Sequence, residues 1–224
     1  MDRQNHSNFR KPFTRAEFES GRGEVLSQGR WANAVLYLFR KDGGLWVVKD
    51  FRPRSVFVRE TVGTLLTWRE LRGLSRIAGI SGVPSGTFRL DRHALAYRYA
   101  QGASLARPGM SALPTEFYAA LERLLQQVHA RGIVHLDVRN ARNILVDPDG
   151  RPMLLDFQSH LGTRWLPRRL RELVELFDLS GVYKHWAGSQ PDSLGETRAE
   201  VLKRMNRWRR FWFLRGYMGL PRLK

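Results

Sequence analysis

Three oxygen-bearing side chains, Asp137, Asn143 and Asp156, lie along one short run at 133–158, IVHLDVRNARNILVDPDGRPMLLDFQ. Carboxylates and a carboxamide can hold a metal ion, and a carboxylate can also take or orient a hydroxyl proton. The set therefore fits phosphoryl transfer. Two apolar runs, 144–146 and 153–155, flank Pro148-Asp149-Gly150, which predicts a buried hairpin. His135-Leu136-Asp137 sits just before it, Asn143 enters it and Asp156-Phe157-Gln158 leaves it. Folding back on the turn brings Asp137, Asn143 and Asp156 to one edge.

The order of these residues resembles the catalytic core of the protein-kinase-like superfamily. There His-Arg-Asp is followed by Asn five positions after the Asp, and then by Asp-Phe-Gly. Three positions depart from that pattern. Leu136 stands for the Arg, Asn143 comes six positions after Asp137, and Gln158 replaces the Gly. A one-residue bulge would absorb the second departure. The resemblance implies that Asp137 handles the acceptor's hydroxyl proton and that Asn143 and Asp156 hold Mg2+. It also implies that Arg139, at a site often occupied by Lys, neutralises transferring charge. His135 is expected to pack near Phe157, and His129 and Asp178 to be core or helix-end residues.

A kinase also needs a strand lysine on the nucleotide phosphates and a helix carboxylate to hold that lysine. Residues 32–39 and 45–51 are strand-like runs joined by Lys41-Asp42-Gly43-Gly44, and Lys49 lies late in the second run. Leu66, Leu74 and Ile77 mark one face of a helix, with Glu70 on the same stripe. Burying an unpaired charge costs several kcal/mol, so Lys49 is the natural counter-ion of Glu70. A local pairing with Arg69 or Arg72 is the alternative. Glu60, on another face beside Thr64 and Thr67, is the competing carboxylate.

Kinase-like chains usually place several glycines in the loop over the phosphates, where backbone NH groups approach closely. Here Gly29 alone remains, in Ser27-Gln28-Gly29-Arg30-Trp31-Ala32-Asn33-Ala34, and an ordinary hairpin loop would read the same. Leu95-Ala96-Tyr97-Arg98-Tyr99, followed by Gln101-Gly102, resembles the strand and hinge between kinase lobes. That places Tyr97 and Tyr99 where backbone groups meet adenine.

Farther along, Phe117, Leu121, Leu124, Leu125 and Val128 form a helix stripe leading into His129-Ala130-Arg131-Gly132. Another helix, defined by Leu170, Leu173, Val174 and Phe177, begins after Pro167. The stretch from Asp156 to Pro167 is too short for a conventional activation segment, and Ala-Pro-Glu is absent. Protein kinases use that segment as a peptide platform, sensed by the Arg that Leu136 replaces. A small or lipid-linked acceptor is therefore favoured over a peptide.

A chain of 224 residues, 42% hydrophobic and 26% charged, can bury a two-lobed single domain. The absence of cysteine excludes disulfides and thiolate zinc sites and suits a reducing cytosol. Residues 1–6 lack an apolar signal core, and no run approaches the roughly 18 apolar residues of a membrane span. Thirty-eight Lys and Arg against 21 Asp and Glu leave a formal charge of +17, which draws the chain to anionic surfaces. From Val201 onward there are eight basic residues and no acid. Val201, Met205, Trp208 and Trp212 recur at helical spacing, Lys203, Arg207 and Arg210 lie on another face, and Phe211, Phe213 and Tyr217 add aromatics. This pattern predicts a basic amphipathic helix on an anionic membrane surface. Lobe packing is the plainer alternative, and RNA, with no recognition-module signature, is the least favoured partner.

The stretch from Arg30 to about Trp186 resembles the small bacterial kinases of the lipopolysaccharide core-sugar group. The likeness includes Val48-Lys49-Asp50-Phe51-Arg52-Pro53-Arg54-Ser55, Arg69-Glu70-Leu71 and Gly79-Ile80-Ser81-Gly82-Val83-Pro84. It implies an α+β, two-lobed kinase-like fold. The expected organisation is an extension at 1–29, a β-rich N-lobe at 30–100, a reduced, mostly helical C-lobe at 101–198 and the basic helix at 199–224. It further implies ATP and Mg2+ as cofactors, a sugar or glycolipid acceptor, and a cytoplasmic location at the inner face of the membrane. A compact RIO-like protein kinase is the second reading. The third is a pseudokinase that binds a partner without turnover.

Overall fold

Apolar residues alternate along the first half of the chain, and a computed structural model describing residues 11–21, 23–29, 31, 33–110 and 112–211 shows the sheet they build. Strands β1 (Glu24–Ser27), β2 (Val35–Lys41), β3 (Gly44–Asp50), β4 (Phe88–Asp91) and β5 (Ala94–Arg98) pair antiparallel in the order β1-β2-β3-β5-β4. The β2–β3 hairpin closes on Asp42 and Gly43, both at positive φ (48° and 73°), so pairing runs out to Lys41 and Gly44. The first strand of this hairpin starts at Val35, and Arg30 and Ala32 lie outside the described residues.

Because side chains alternate across a strand, the two faces of this sheet differ. Val35, Tyr37, Phe39, Trp46, Val48, Ala94 and Ala96 form one buried face with Phe88, Leu90 and two residues from ahead of the sheet, Phe13 and Phe18. Phe18 lies on α1 (Arg15–Ser20), whose Thr14 and Glu17 form a capping box. Arg15 anchors that helix, donating to both oxygens of fully buried Asp50 (2.7 and 3.2 Å) and to Asp91 (2.7 Å). Residues 11–29 thus supply a helix and a strand to this unit. Val47, Leu95 and Tyr97 occupy the opposite face, and Lys49, two positions after Val47, shares it.

That second face meets a helical segment of three parts: α2 (Val56–Val58), a π-helical turn (Arg59–Gly63) and α3 (Thr64–Arg76). Thr67, Glu70 and Leu74 are its buried side chains in α3. The described residues of Met1–Ala78 and Pro84–Ala100 make one compact unit, and those of Gly79–Val83 and Gln101–Lys224 make the other.

The second unit is mostly helical. It contains β6 (Ala103–Ser104), α4 (Thr115–Ala130), β7 (Ile133–Val134), β8 (Ile144–Val146), β9 (Pro152–Leu154), β10 (Leu161–Gly162), α5 (Arg168–Ser189) and α6 (Glu196–Phe211). The helix α4 buries Phe117, Leu121, Leu124, Leu125 and Val128, the stripe its spacing predicts. By contrast, α5 buries only its second half, from Asp178 to Trp186, while Leu170 is half exposed and Leu173, Val174 and Phe177 are partly covered. Three helices are tied together at Glu122: Tyr183 Oη donates to its Oε1 (2.6 Å) and Arg198 donates to Oε2 (2.9 and 3.1 Å). Burial and this carboxylate raise the Tyr183 pKa, keeping the phenol protonated. Within α6, Met205 is fully buried and Trp208 is about half exposed, whereas Trp212, Phe213 and Tyr217 lie outside the described residues. Among the described residues no helix is long and apolar enough to cross a membrane.

Candidate functional site

The hairpin β8–β9 does what its turn predicts: Ile144 faces Leu154, and Leu155 N donates to Asn143 O (2.8 Å), so the two ends meet beside Asp156. Between β7 and this hairpin the chain loops through residues 135–143. His135 packs against Phe157 with ring centroids 4.6 Å apart and the rings tilted by 56°, and its Nε2 lies 2.8 Å from Leu155 O. Its Nδ1 accepts from Asp137 N (3.3 Å), an arrangement that fits the Nε2–H tautomer. The ring is thus a brace under the loop.

Asp178, in the buried half of α5, holds the loop from the other side. Its carboxylate accepts from His135 N (2.7 Å) and Leu136 N (2.9 Å) and meets His129 Nε2 (3.1 Å). His185 lies 3.0 Å from Val138 O, and burial lowers its pKa to about 4, so the neutral imidazole donates there. Held this way, Leu136 adopts φ 67° and Asp156 φ 62°, a left-handed conformation that non-glycine residues take only under constraint. Leu136 directly precedes Asp137, and Asp156 is the second carboxylate of the site.

Between Asp137 and Asn143 the chain makes a 3₁₀ turn at Ala141–Asn143, capped by Asn140. Two amides consequently reach Asp137 Oδ2: Asn143 Nδ2 at 2.8 Å and Asn140 Nδ2 at 3.3 Å. Burial raises the Asp137 pKa and the charge of Asp156 adds to this, while the two amide hydrogen bonds oppose it. Asn140 was not legible as a participant, although an Asn three residues after an Asp in a tight loop can reach back to it. Arg139 directs Nη1 to Ser180 O on α5 (3.4 Å). Gln158 is buried with Nε2 lacking a hydrogen-bond partner among the described residues, and such an orphaned donor costs about 1–3 kcal/mol.

The approach of α5 to this loop requires a glycine. A Cβ on Gly181 would lie 2.9 Å from Val138 Cβ and 3.0 Å from Arg139 N. Gly181→Ala is expected to lower the unfolding free energy by about 1–3 kcal/mol, read as a lower urea midpoint. Gly188→Ala, whose Cβ would meet nothing within 4 Å, is the control and should be neutral or slightly stabilising.

In the first unit, Lys49 Nζ donates to both oxygens of Glu70, at 2.7 and 2.9 Å, and both residues are buried. The alternatives for these groups are engaged elsewhere. Glu60 lies near Arg59, Arg92 and His93 at 3.2, 3.3 and 3.1 Å, and Arg72 stacks over Trp68. Gly29 has φ 63°, and a Cβ there would collide with Ala34 O, so the loop at this point accepts only glycine. Arg54 braces the same loop, donating to Asn33 O (2.7 Å) and to Gln28 O. Its position in Arg52-Pro53-Arg54-Ser55 gives no sign of this use. Tyr97 is buried with Val47 and Leu95, whereas Tyr99 is partly exposed and its N donates to Leu45 O (2.9 Å).

The oxygen set at Asp137, Asn143 and Asp156 fits Mg2+, which binds through one or two protein oxygens and takes its other ligands from water and phosphate. Among the described residues no group of three or more His, Asp or Glu forms a protein-only metal cage. No family model matches the chain, and no curated protein matches it. Among solved structures it is similar to the Rio2 kinase–ADP/Mg2+–phosphoaspartate complex from Chaetomium thermophilum. The TM-score is 0.55 and the identity 15%, over 88% of this chain and 75% of that one. The α+β architecture is therefore that of the protein-kinase-like fold.

Proposed function

We propose that this protein is an ATP- and Mg2+-dependent phosphotransferase whose acceptor is a hydroxyl of a sugar or lipid-linked sugar, such as the lipopolysaccharide core. The observation that carries the reading is Asp137. It is a partly buried carboxylate at the end of a braced loop, with Oδ2 held by Asn140 and Asn143 and Asp156 close enough to raise its pKa. Fixed this way, Asp137 orients the acceptor hydroxyl and accepts its proton as the oxygen attacks the γ-phosphorus and the bond to the bridging oxygen of ADP breaks. Lys49, held straight by Glu70, grips the nucleotide phosphates. Arg139 is the residue to meet charge on the transferred group, Gly29 gives the phosphate-covering loop its close backbone, and Tyr97 and Tyr99 bear the backbone that meets adenine. Asn143 and Asp156 would hold Mg2+, which supplies neutralisation of phosphate charge.

The acceptor class follows from the short stretch between Asp156 and α5 and from Leu136, which give little platform for a peptide. A net charge of +17 favours an anionic glycolipid at the inner face of the cytoplasmic membrane. A RIO-like protein kinase is the second reading, favoured by the fold similarity to Rio2. A pseudokinase is the third, favoured by Gln158 in place of Gly, the sixth-position Asn143 and the single glycine of the phosphate-covering loop. Incubation with ATP labelled at the γ-phosphate, in the presence of bacterial glycolipid or of a protein acceptor, separates them. Label in the glycolipid supports the first reading, label in protein alone the second, and label in neither the third.

A further inference from the structure

The pairing of β1 with β2 ends where Ser27 faces Leu36, and the chain between them must turn without the support of the ladder. Gly29 holds a positive φ of 63° in this turn, and its N donates to Ser27 Oγ at 3.3 Å, a long bond. The stronger hold comes from outside the loop. Arg54 donates through Nε to Asn33 O (2.7 Å) and through Nη2 to Gln28 O. Those two nitrogens share one edge of the planar guanidinium, so a single rigid fork spans the outgoing and the returning limb. A Cβ on Gly29 would lie 3.0 Å from Arg54 Nη2, so the glycine also makes room for the fork.

The fork is placed in turn by buried parts of the same unit. Arg54 N donates to Phe51 O (3.0 Å), closing a turn directly after β3, and buried Phe51 donates its own N to His93 O (3.0 Å). The next residue, Ser55, caps α2 by accepting from Val58 N (3.5 Å). Arg54 therefore ties the Gly29 loop to the junction between the strand that carries Lys49 and the helical segment that carries Glu70.

We infer that Arg54 is a positioning residue for the nucleotide, holding the Gly29 loop in the shape that receives the phosphates before they arrive. The inference rests on the phosphotransferase reading and adds to it a residue that acts through the loop backbone. Without the fork the loop spreads over several shapes, and apparent affinity falls by the fraction that stays competent. Lysine keeps the charge at this position but has no fork with which to bridge two carbonyls.

The test is calorimetric titration of the full chain with Mg2+ and ATP, beside the initial rate of tryptic cleavage after Arg30 in the nucleotide-free protein. Arg54→Ala should weaken ATP binding about tenfold, as expected if roughly a tenth of the loop population stays competent. It should also speed cleavage after Arg30, since an unbraced loop opens more often. Arg54→Lys should behave like Arg54→Ala in both measurements. Arg52→Ala, which frees Glu19 from its 2.7 Å bond and leaves the loop braced, should match the wild type. Unchanged melting temperatures would show that the losses are not unfolding. Arg54→Ala binding ATP as the wild type does, Arg54→Lys restoring wild-type affinity, or cleavage after Arg30 no faster in either variant would overturn this inference alone. A wild type that binds no ATP would overturn the phosphotransferase reading and the role of Arg54 with it.

Discussion

Asp137→Asn is expected to lower turnover by roughly 10²–10⁴-fold with little change in ATP affinity, because it removes a proton acceptor and keeps the shape of the loop. Asn140 and Asn143 would still find an oxygen at position 137. Single-turnover measurement beside nucleotide titration separates the two effects. The direction of the pH dependence follows from burial, which raises the Asp137 pKa above its ordinary value of 3.8. The base acts ionised, so activity rises with pH through that raised value. Asn140→Ala removes one of the hydrogen bonds that lower it, and should move the acid limb of the pH–rate profile upward while leaving the enzyme active. An unmoved limb would separate the profile from Asp137.

Lys49→Met should destabilise the protein by about 3–5 kcal/mol, because it leaves the Glu70 carboxylate buried without its counter-ion. In a chain of this size that corresponds to a fall of roughly 6–20 °C in melting temperature. The double variant Lys49→Met/Glu70→Leu should recover most of this, since a buried ion pair costs desolvation energy that an apolar pair does not. Stability and function then part company. The double variant folds yet should transfer no phosphate, because no cation is left on that strand to hold the nucleotide. A double variant as active as the wild type would remove Lys49 from the mechanism.

The parts of the molecule governed by short-range patterning were the legible ones. The β2–β3 hairpin follows from Asp42-Gly43, whose positive φ angles suit the tight turn. The β8–β9 hairpin follows from two apolar runs around Pro148-Asp149-Gly150, and its fold-back brings Asn143 to Leu155 beside Asp156. Partnership across long sequence separation was legible only where burial forced it. Glu70 lay on an apolar stripe, so a counter-ion was required, and Lys49 supplies it.

Where a contact depends on tertiary packing alone, spacing was silent. Nothing local marks Arg54 as the brace of the Gly29 loop, or Asp178 as the acceptor for the backbone of His135 and Leu136. The α5 stripe at Leu170, Leu173, Val174 and Phe177 shows the opposite limit. Periodicity found the helix, but the core is built by its following stretch from Asp178 to Trp186, because those are the residues packed against α4 and the 135–139 loop. Likewise Met205, expected on a face offered to a membrane, is buried within the second unit.

The central claim is that this fold carries a working nucleotide site, and calorimetric titration of ATP with and without Mg2+ tests it most directly. The wild type should bind ATP with an affinity that depends on Mg2+, and Asp156→Asn should lose that dependence while melting at a similar temperature. Absence of binding by the wild type at millimolar ATP, or Mg2+-dependent binding undiminished in Asp156→Asn, would contradict the account.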